Sequence, residues 1–225
     1  MFKEWPLQKY SENLYRTELN EIRELGYEWN KPHEVVDLFE KEVAEFSGSK
    51  YAIAVDCCTH ALFLVLKYLN QPQTLKIPEH TYISVPSYIK HANYDVELIK
   101  KEWSGVYQIE PLNVWDGAGR WGKGMYMGGY HILSFQMKKR IPIGRGGMIL
   151  CDDYESYKWF KRACYDGRDL DVPYDKDNIN MIGWHYYMTP EDAARGLILM
   201  NKISKETVDT HNNESYPNLK SYNLF

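Results

Sequence analysis

The chain of 225 residues is long enough for one well-packed domain, and 44% of its residues are hydrophobic and 26% charged. A net charge of −4 excludes a general attraction to nucleic acid or to an anionic membrane surface, so any bound anion must be held by a local site. The four cysteines form no Cys-x-x-Cys pair and predict neither a disulfide scaffold nor a metal site, because Cys57, Cys58 and His60 are too close in sequence for the usual zinc geometry.

With no signal pattern and no apolar run of membrane-spanning length, the sequence predicts a soluble protein of the reducing cytoplasm. Three parts are predicted: an N-terminal helical arm over residues 1–30, an α/β domain over residues 31–205, and a polar, extended tail over residues 206–225. In the arm, a helix is predicted from Glu12 to Leu25.

The second predicted helix begins near Pro32 and ends at Gly48. Short apolar strands then alternate with helices. Strands are predicted at residues 51–55, 75–77, 96–99, 112–115, 130–135 and 146–151, and helices at residues 61–69, 86–91, 154–165 and 190–203. Asp152 is the predicted N-cap of the helix at 154–165. This alternation predicts an α/β fold with a mostly parallel sheet, in which ligands bind beyond the C-terminal ends of the strands.

The first candidate segment is the turn Asp56–His60, which joins a strand to an apolar helix. Its backbone N–H groups, the Thr59 hydroxyl and the helix dipole together suit a phosphate group. The alternative is that Thr59 is a helix N-cap and that the two cysteines are small packing residues.

The second candidate, Asp116, ends an apolar strand and precedes Gly117. A partly desolvated carboxylate at this edge needs a cationic partner, and a protonated ring nitrogen is one. The alternative is an ordinary turn aspartate before glycine.

The third candidate is the run Lys138-Lys139-Arg140, which follows Ser134. Three consecutive cations usually lie on a solvated surface. This run, however, ends an apolar strand and leads into a Gly-Arg-Gly-Gly turn. A lysine that is sequestered there loses its proton more easily and attacks a carbonyl as a Schiff-base nucleophile.

The fourth candidate is Tyr82 in the sequence His80-Thr81-Tyr82. At a strand end, its ring can lie on a flat cofactor, whereas the alternative is an ordinary tyrosine of the core.

Taken in order, these segments resemble the DegT/DnrJ/StrS family of sugar aminotransferases, over residues 30–203 and discontinuously. The stretch Leu38–Leu66 is similar to the N-terminal signature of the family, and Ser134-Phe135 with Lys139 is similar to its lysine motif. The stretch Gly183–Met188 is similar to the segment that follows the cofactor-binding sheet. The resemblance implies a reduced three-layer αβα large domain of fold type I, with the C-terminal small domain nearly absent.

The resemblance also implies the cofactor, pyridoxal 5′-phosphate, and the residue that carries it as a Schiff base, Lys139. Asp116 would pair with the pyridine nitrogen, and Tyr82 would stack on the ring. Lys138 is the competing assignment, and the spacing from Ser134 favours Lys139.

By the same resemblance, the cofactor phosphate is bound by the hydroxyls of Thr59 and Ser134 and by the N–H groups of Cys58 and Thr59. His185 matches an asparagine that reaches the active site of the neighbouring subunit, so a homodimer is expected, with His185 as the contact between subunits.

Several positions depart from the family pattern. Gly119 stands where a glutamine near the phenolic oxygen of the cofactor is common, and Tyr187 replaces an arginine. Cys58 replaces the glycine before the phosphate-binding threonine. The chain also lacks the length of one strand–helix unit before Leu112.

These observations predict a transaminase that moves an amino group from an amino acid, glutamate for preference, to a nucleotide-linked keto sugar. One alternative is a pyridoxal-phosphate enzyme of another type, such as a dehydratase or racemase. Another is a reduced relative that binds the cofactor without turnover. Neither nucleic acid nor membrane is an expected partner.

Overall fold

The computed structural model describes residues 17–222 and 224. The helices are α1 (Thr17–Glu24), α2 (Glu34–Ser47), α3 (Cys58–Leu69), α4 (Ser84–His91), α5 (Tyr154–Ala163) and α6 (Pro190–Lys202). The strands are β1 (Tyr51–Val55), β2 (Thr74–Pro78), β3 (Asp95–Ile99), β4 (Tyr107–Gln108), β5 (Val114–Asp116), β6 (Arg120–Trp121), β7 (Tyr130–Ser134), β8 (Gly147–Cys151) and β9 (Val208–Asp209). Short 3₁₀ helices span Tyr174–Lys176, Asn213–Ser215 and Leu219–Tyr222.

The central sheet has the order β1-β8-β7-β5-β4. The sheet is mixed: β5 and β7 pair in parallel, whereas β8 is antiparallel to both β1 and β7. The prediction of a mostly parallel sheet is therefore wrong. The physical reason is that β8 follows β7 through a loop without a crossover helix, so the chain returns beside β7 in the opposite direction. Strands β2 and β3 form a separate parallel pair.

Helices cover both faces of the sheet and give three layers. In β1, Ala52 and Ala54 face a core formed with α1, α2 and α6, while Ile53 and Val55 face a second core formed with α3, α4 and α5. Such alternation is the period of two that a strand imposes on its side chains. No helix lies between β3 and β5, the part of the chain predicted to be short.

Two helix starts differ from their predictions. Helix α3 begins at Cys58 rather than at residue 61, and its N-cap is Cys57, whose Sγ accepts a hydrogen bond from the N–H of His60 at 3.4 Å. Thr59 is therefore inside the helix and is not its cap. Helix α5 is capped by Asp153, not by Asp152. Asp152 accepts a hydrogen bond from Lys50 instead.

The C-terminal segment does not form the extended tail that the sequence predicts. Strand β9 pairs antiparallel with β6, and the chain then crosses the ends of β2 and β4, where the N–H of Leu219 donates to the carbonyl of Glu79 at 2.8 Å. Leu219 is 1% exposed, so one apolar side chain anchors this polar segment in the core.

The predicted arm helix is confirmed over α1, while its residues before Thr17 lie outside the described part of the chain. Leu19 and Ile22 of α1 are buried, and α1 packs against α6. Among the described residues, none of the helices combines the length and the apolarity needed to cross a membrane.

Candidate active site

A cavity of about 460 Å³ lies where β5 and β7 end and α3 begins. Asp116, Ser134, Lys139, Thr59, Cys58 and Tyr82 all line it, so the structure brings together six of the seven side chains predicted for the site. Its position beyond the C-terminal ends of the parallel strands is the one that α/β folds use for ligands.

Asp116 is the buried carboxylate of this cavity, with 6% of its surface exposed. Its Oδ2 accepts a hydrogen bond from the Tyr107 hydroxyl at 2.8 Å, and its Oδ1 accepts one from the N–H of Ala118 at 3.0 Å. Burial raises the pKa of Asp116 above its usual value, while these two hydrogen bonds and the charge of Lys139 act in the opposite direction. Each oxygen retains a lone pair for a further donor.

Lys139 is the half-buried lysine of the loop after β7. Burial lowers the pKa of Lys139 below its usual value, while the carboxylate of Asp116 acts to raise it. Lys138, by contrast, is exposed, although it also lines the cavity. Partial burial favours the uncharged amine, which is the nucleophilic form, so the structure supports Lys139 over Lys138 as the reactive lysine.

The first turn of α3 supplies donors for an anion. Helical N–H groups in a first turn have no acceptor within the helix, and here they belong to Cys58 and Thr59. The Thr59 hydroxyl is hydrogen-bonded to that of Ser84 at 2.9 Å. This turn comes close to β8 because residue 147 is glycine: a Cβ there would lie 2.4 Å from the backbone N of Cys58.

Burial also raises the pKa of the Cys58 thiol well above its usual value. The thiol is therefore uncharged at neutral pH and presents no negative charge to an anion bound at this turn.

Ser134 and Tyr82 complete the set that the sequence predicts within one chain. Ser134 ends β7, is half-buried and lines the cavity. Tyr82 is 57% exposed at the mouth, with its ring 6.2 Å from that of Tyr216. An exposed ring beside a cavity is available to stack on a planar ligand, and the alternative of a core tyrosine is wrong for Tyr82.

His185 does not line the cavity of its own chain. Its side chain is 70% exposed, and its Nδ1 lies 2.9 Å from Oδ2 of Asp166. Tyr187 contacts the His185 ring and packs against Tyr165, also away from the cavity. The exposed side chain of His185 is accessible to a second subunit, and its contact with that subunit stays a prediction.

Sequence reasoning missed a chain of hydroxyls behind Asp116. Thr81 is buried, and its hydroxyl lies 2.6 Å from that of Tyr107, which in turn donates to Asp116. Thr81 stands in the His80-Thr81-Tyr82 motif, but only a contact across 26 positions reveals its partner. No local sequence pattern marks Tyr107 as a residue of the site.

The second omission is the wall that the C-terminal segment contributes. His211, Ser215 and Tyr216 line the cavity, and we call them the tail wall. The Tyr216 ring is stacked with Trp103 at 6.1 Å and with His211 at 5.8 Å. Nothing in a polar, Asn-rich stretch predicts that it folds back onto a site, since the anchors are distant in sequence.

A cluster of charged side chains adjoins the cavity through Arg145, which lines it. Arg145 pairs with Oδ2 of Asp56 at 2.7 Å, and His60 lies 2.6 Å from Oδ1 of the same carboxylate. Burial acts to lower the pKa of His60, but the hydrogen bonds that His60 makes to Asp56 and Cys57 raise it to about 9.

Ligand atoms of Asp56, Cys57 and His60 lie within 4.8 Å of one another. Since the carboxylate of Asp56 is already shared by two cationic side chains, the described residues form an ion-pair network here.

The chain matches the model of the DegT/DnrJ/EryC1/StrS aminotransferase family over residues 13–112 and 119–218. It is 47% identical over 53 residues to the spore coat polysaccharide biosynthesis protein SpsC of Bacillus subtilis, a match that covers 23% of this chain and 14% of that protein.

Two solved structures are similar in fold. One is PseC of Helicobacter pylori, an aminotransferase involved in the biosynthesis of pseudoaminic acid (TM-score 0.62, 17% identity, 75% of this chain and 57% of that one). The other is the sugar aminotransferase CalS13 of Micromonospora echinospora (TM-score 0.66, 14% identity, 83% of this chain and 64% of that one). The chain thus spans less than two thirds of either structure.

The fold is that of the pyridoxal-phosphate-dependent aminotransferases of fold type I, which confirms the predicted fold class. The match over most of the sequence decides the family: the chain belongs to the DegT/DnrJ/EryC1/StrS aminotransferases, which confirms the resemblance. The cofactor of this family is pyridoxal 5′-phosphate.

The cavity fits that cofactor. A buried carboxylate whose pKa is raised by burial is stabilised by a cationic ring nitrogen, and a half-buried lysine shares the cavity with it. Two N–H groups of a helix start and nearby hydroxyls suit a phosphate group.

Proposed function

We propose that this protein is a pyridoxal-phosphate-dependent aminotransferase whose acceptor is a keto sugar, carried by a nucleotide, and whose donor is an amino acid, glutamate for preference. The observation that carries the proposal is that Asp116, Lys139 and the start of α3 share one cavity. The names of SpsC, PseC and CalS13, which refer to polysaccharide and sugar chemistry, support the class of acceptor.

Each predicted residue has a role that its surroundings support. Asp116 would accept a hydrogen bond from the protonated ring nitrogen and so keep that ring cationic, because its buried charge needs a partner. The N–H groups of Cys58 and Thr59, with the hydroxyls of Thr59 and Ser134, bind the phosphate.

When bound, the cofactor supplies an electron sink for the carbanion at the α-carbon of the donor. Lys139, whose pKa is lowered by burial, would carry the cofactor and, once displaced by the donor, would be the base that moves the proton from the α-carbon. Tyr82 lines the cavity with its ring exposed and would stack on the ring of the cofactor. Arg145 and Lys138, both exposed and both at the cavity, are the cations that would hold the carboxylates of the donor.

The first test is attachment of the cofactor. Purified protein incubated with pyridoxal 5′-phosphate should absorb in the visible range, and borohydride should fix the cofactor on the peptide that contains Lys139, as read by mass spectrometry. Lys139→Ala should abolish the adduct completely. Lys138→Ala, the matched control one residue away, should retain it; the reverse result would reassign the lysine.

Addition of glutamate distinguishes turnover from binding alone. Bleaching of the visible band to the amino form of the cofactor, reversed by a keto-sugar nucleotide, supports a transaminase. The specific observation that favours a binding-only protein is that Tyr187 stands where the family has an arginine, because a tyrosine cannot replace a positive charge. Colour that no amino acid bleaches would support that candidate. Bleaching with release of ammonia would indicate another pyridoxal-phosphate reaction, such as dehydration.

We also propose that the protein acts as a homodimer in which His185 of one copy reaches the cavity of the other. Two observations support this proposal: the side chain of His185 is 70% exposed, and His185 lies in the part of the chain that the family model matches. Lys139→Ala and His185→Ala should each be impaired alone, and mixing them should restore about a quarter of the wild-type signal if subunits combine at random and each cavity needs both residues. A monomer by sedimentation that retains activity would contradict the proposal.

A further inference from the structure

His211, in the tail wall, lines the cavity but has no role in the function proposed above. The segment that bears it is anchored on both sides. Arg120 binds Asp209 through two hydrogen bonds of 2.7 and 2.8 Å, and the N–H of Gly105 donates to the carbonyl of His211 at 2.8 Å. Residue 119, which lies against this segment, is glycine, and a Cβ there would lie 3.2 Å from the Cβ of His211. His211 is therefore held at the cavity by contacts with the sheet edge.

The hydrogen bonds of Thr210 determine which ring nitrogen of His211 carries the proton. The Thr210 hydroxyl donates its one proton to the carbonyl of Gly119 at 3.1 Å. With that proton engaged, we assign the 2.8 Å contact between the hydroxyl and Nδ1 of His211 as one in which Nδ1–H donates and the hydroxyl oxygen accepts. In this tautomer of the neutral ring, Nε2 is the unprotonated nitrogen and a proton acceptor, on a side chain that lines the cavity.

The surroundings keep this ring uncharged. Burial lowers the pKa of His211 below its usual value, and the nearby cations Lys139 and Lys138 act in the same direction. Thr210 and Lys139 also line a second, very small cavity together with Gly119, so the two chain segments meet there. A neutral imidazole with a free acceptor thus stands on the same cavity as the lysine that must lose a proton.

We propose that His211 is the base that accepts a proton from the Lys139 ammonium when the lysine captures the aldehyde of the cofactor. His211 takes one proton, the freed lone pair of Lys139 forms the bond to the carbonyl carbon, and the carbonyl oxygen leaves as water with the proton that His211 returns and a second one from the nitrogen. No proton is gained or lost overall. This inference rests on the proposed function, since it concerns the capture step of the same lysine.

The test is the rate of capture, measured by stopped-flow absorbance after mixing cofactor-free protein with saturating pyridoxal 5′-phosphate. His211→Asn preserves a polar side chain but cannot accept a proton, and it should slow capture roughly 100-fold, the size of a general-base contribution. The concentration of cofactor that gives half the maximal rate should not change. His91→Asn, at the exposed end of α4, is the control and should react at the wild-type rate.

Two further comparisons separate proton transfer from a structural role. Added imidazole should accelerate capture by His211→Ala in proportion to its neutral form. Thr210→Val removes the hydroxyl that fixes the tautomer and should slow capture, whereas Thr210→Ser retains the hydroxyl and should not. Wild-type capture rates in His211→Asn, or no response of His211→Ala to imidazole, would overturn the inference while leaving the proposed function intact. Failure of the wild-type protein to capture the cofactor at all would overturn the proposed function, and this inference with it.

Discussion

The cavity has two walls of different origin, and the contrast between them shows which parts of a site a local pattern can reveal. One wall, here called the sheet wall, consists of Asp116 at the end of β5, Lys139 in the loop after β7, and the start of α3. The other is the tail wall of His211, Ser215 and Tyr216, which contains no long element and is positioned by contacts with distant residues. The sheet wall carries the groups that fit the cofactor, and the tail wall closes the cavity over them.

The two walls also differ in how their charges are satisfied. In the sheet wall, Asp116 is buried with hydrogen bonds from neutral groups only, so its charge is incompletely compensated in the protein alone. In the segment that leads to the tail wall, Asp209 is paired directly with the guanidinium of Arg120. Removal of the Asp116 carboxylate should therefore lower the affinity for the cofactor, whereas removal of the Asp209 carboxylate should destabilise the segment that leads to the tail wall.

Asp116→Asn should have the largest effect on the cofactor. The cationic ring nitrogen would lose its buried partner, and breaking such a pair costs about 3 kcal/mol, so affinity for pyridoxal 5′-phosphate should fall on the order of 100-fold. Isothermal titration or fluorescence quenching measures it. Asp95→Asn, an exposed carboxylate paired with Lys90, is the control and should bind as the wild type does.

The same variant tests the charge of Asp116 without the cofactor. Because the pKa of Asp116 is raised in the folded protein, its contribution to stability is full below the unfolded value and is lost as pH rises through the folded one. The cofactor-free wild type should thus lose stability relative to Asp116→Asn over that window, as measured by urea unfolding. Parallel curves for the two proteins would show that the carboxylate is already compensated.

The sheet wall could be predicted from the sequence because its signals are local. The strand Tyr51–Val55 and the strand that ends at Ser134 are confirmed, and the candidates at their ends meet in one cavity, as sheet geometry requires. The errors there were of detail: α3 starts three residues earlier than predicted, because Cys57 caps it, and β8 returns antiparallel.

The tail wall could not be predicted, and the reason is physical. Its position depends on the Arg120–Asp209 pair, on the buried Leu219, and on backbone bonds to residues about a hundred positions away. None of these gives a periodic pattern, and a segment rich in asparagine and serine is typical of loops. The role of Tyr107, whose hydroxyl joins Thr81 to Asp116, could not be predicted for the same reason, because its partners become neighbours only in the folded sheet.

Asp209→Asn should have a smaller effect, confined to the tail wall. The hydrogen bond from Arg120 lowers the pKa of Asp209, so its contribution to stability is present above the unfolded value and is lost as pH falls through the folded one. A partly exposed pair of this kind contributes about 1 kcal/mol. Hydrogen exchange should therefore quicken in residues 208–222 of the variant at neutral pH, and the difference from wild type should vanish in acid.

The distribution of that exchange decides whether the two walls are independent. If the tail wall only packs onto a preformed sheet edge, exchange in β5 and β7 should stay at the wild-type rate. Affinity for inorganic phosphate, for which the start of α3 is the proposed site, should not change either. The rate at which Lys139 captures the cofactor should nevertheless fall, since His211 would spend less time at the cavity. Faster exchange throughout the central sheet would contradict this division, because Asp209 would then belong to the same cooperative unit as Asp116.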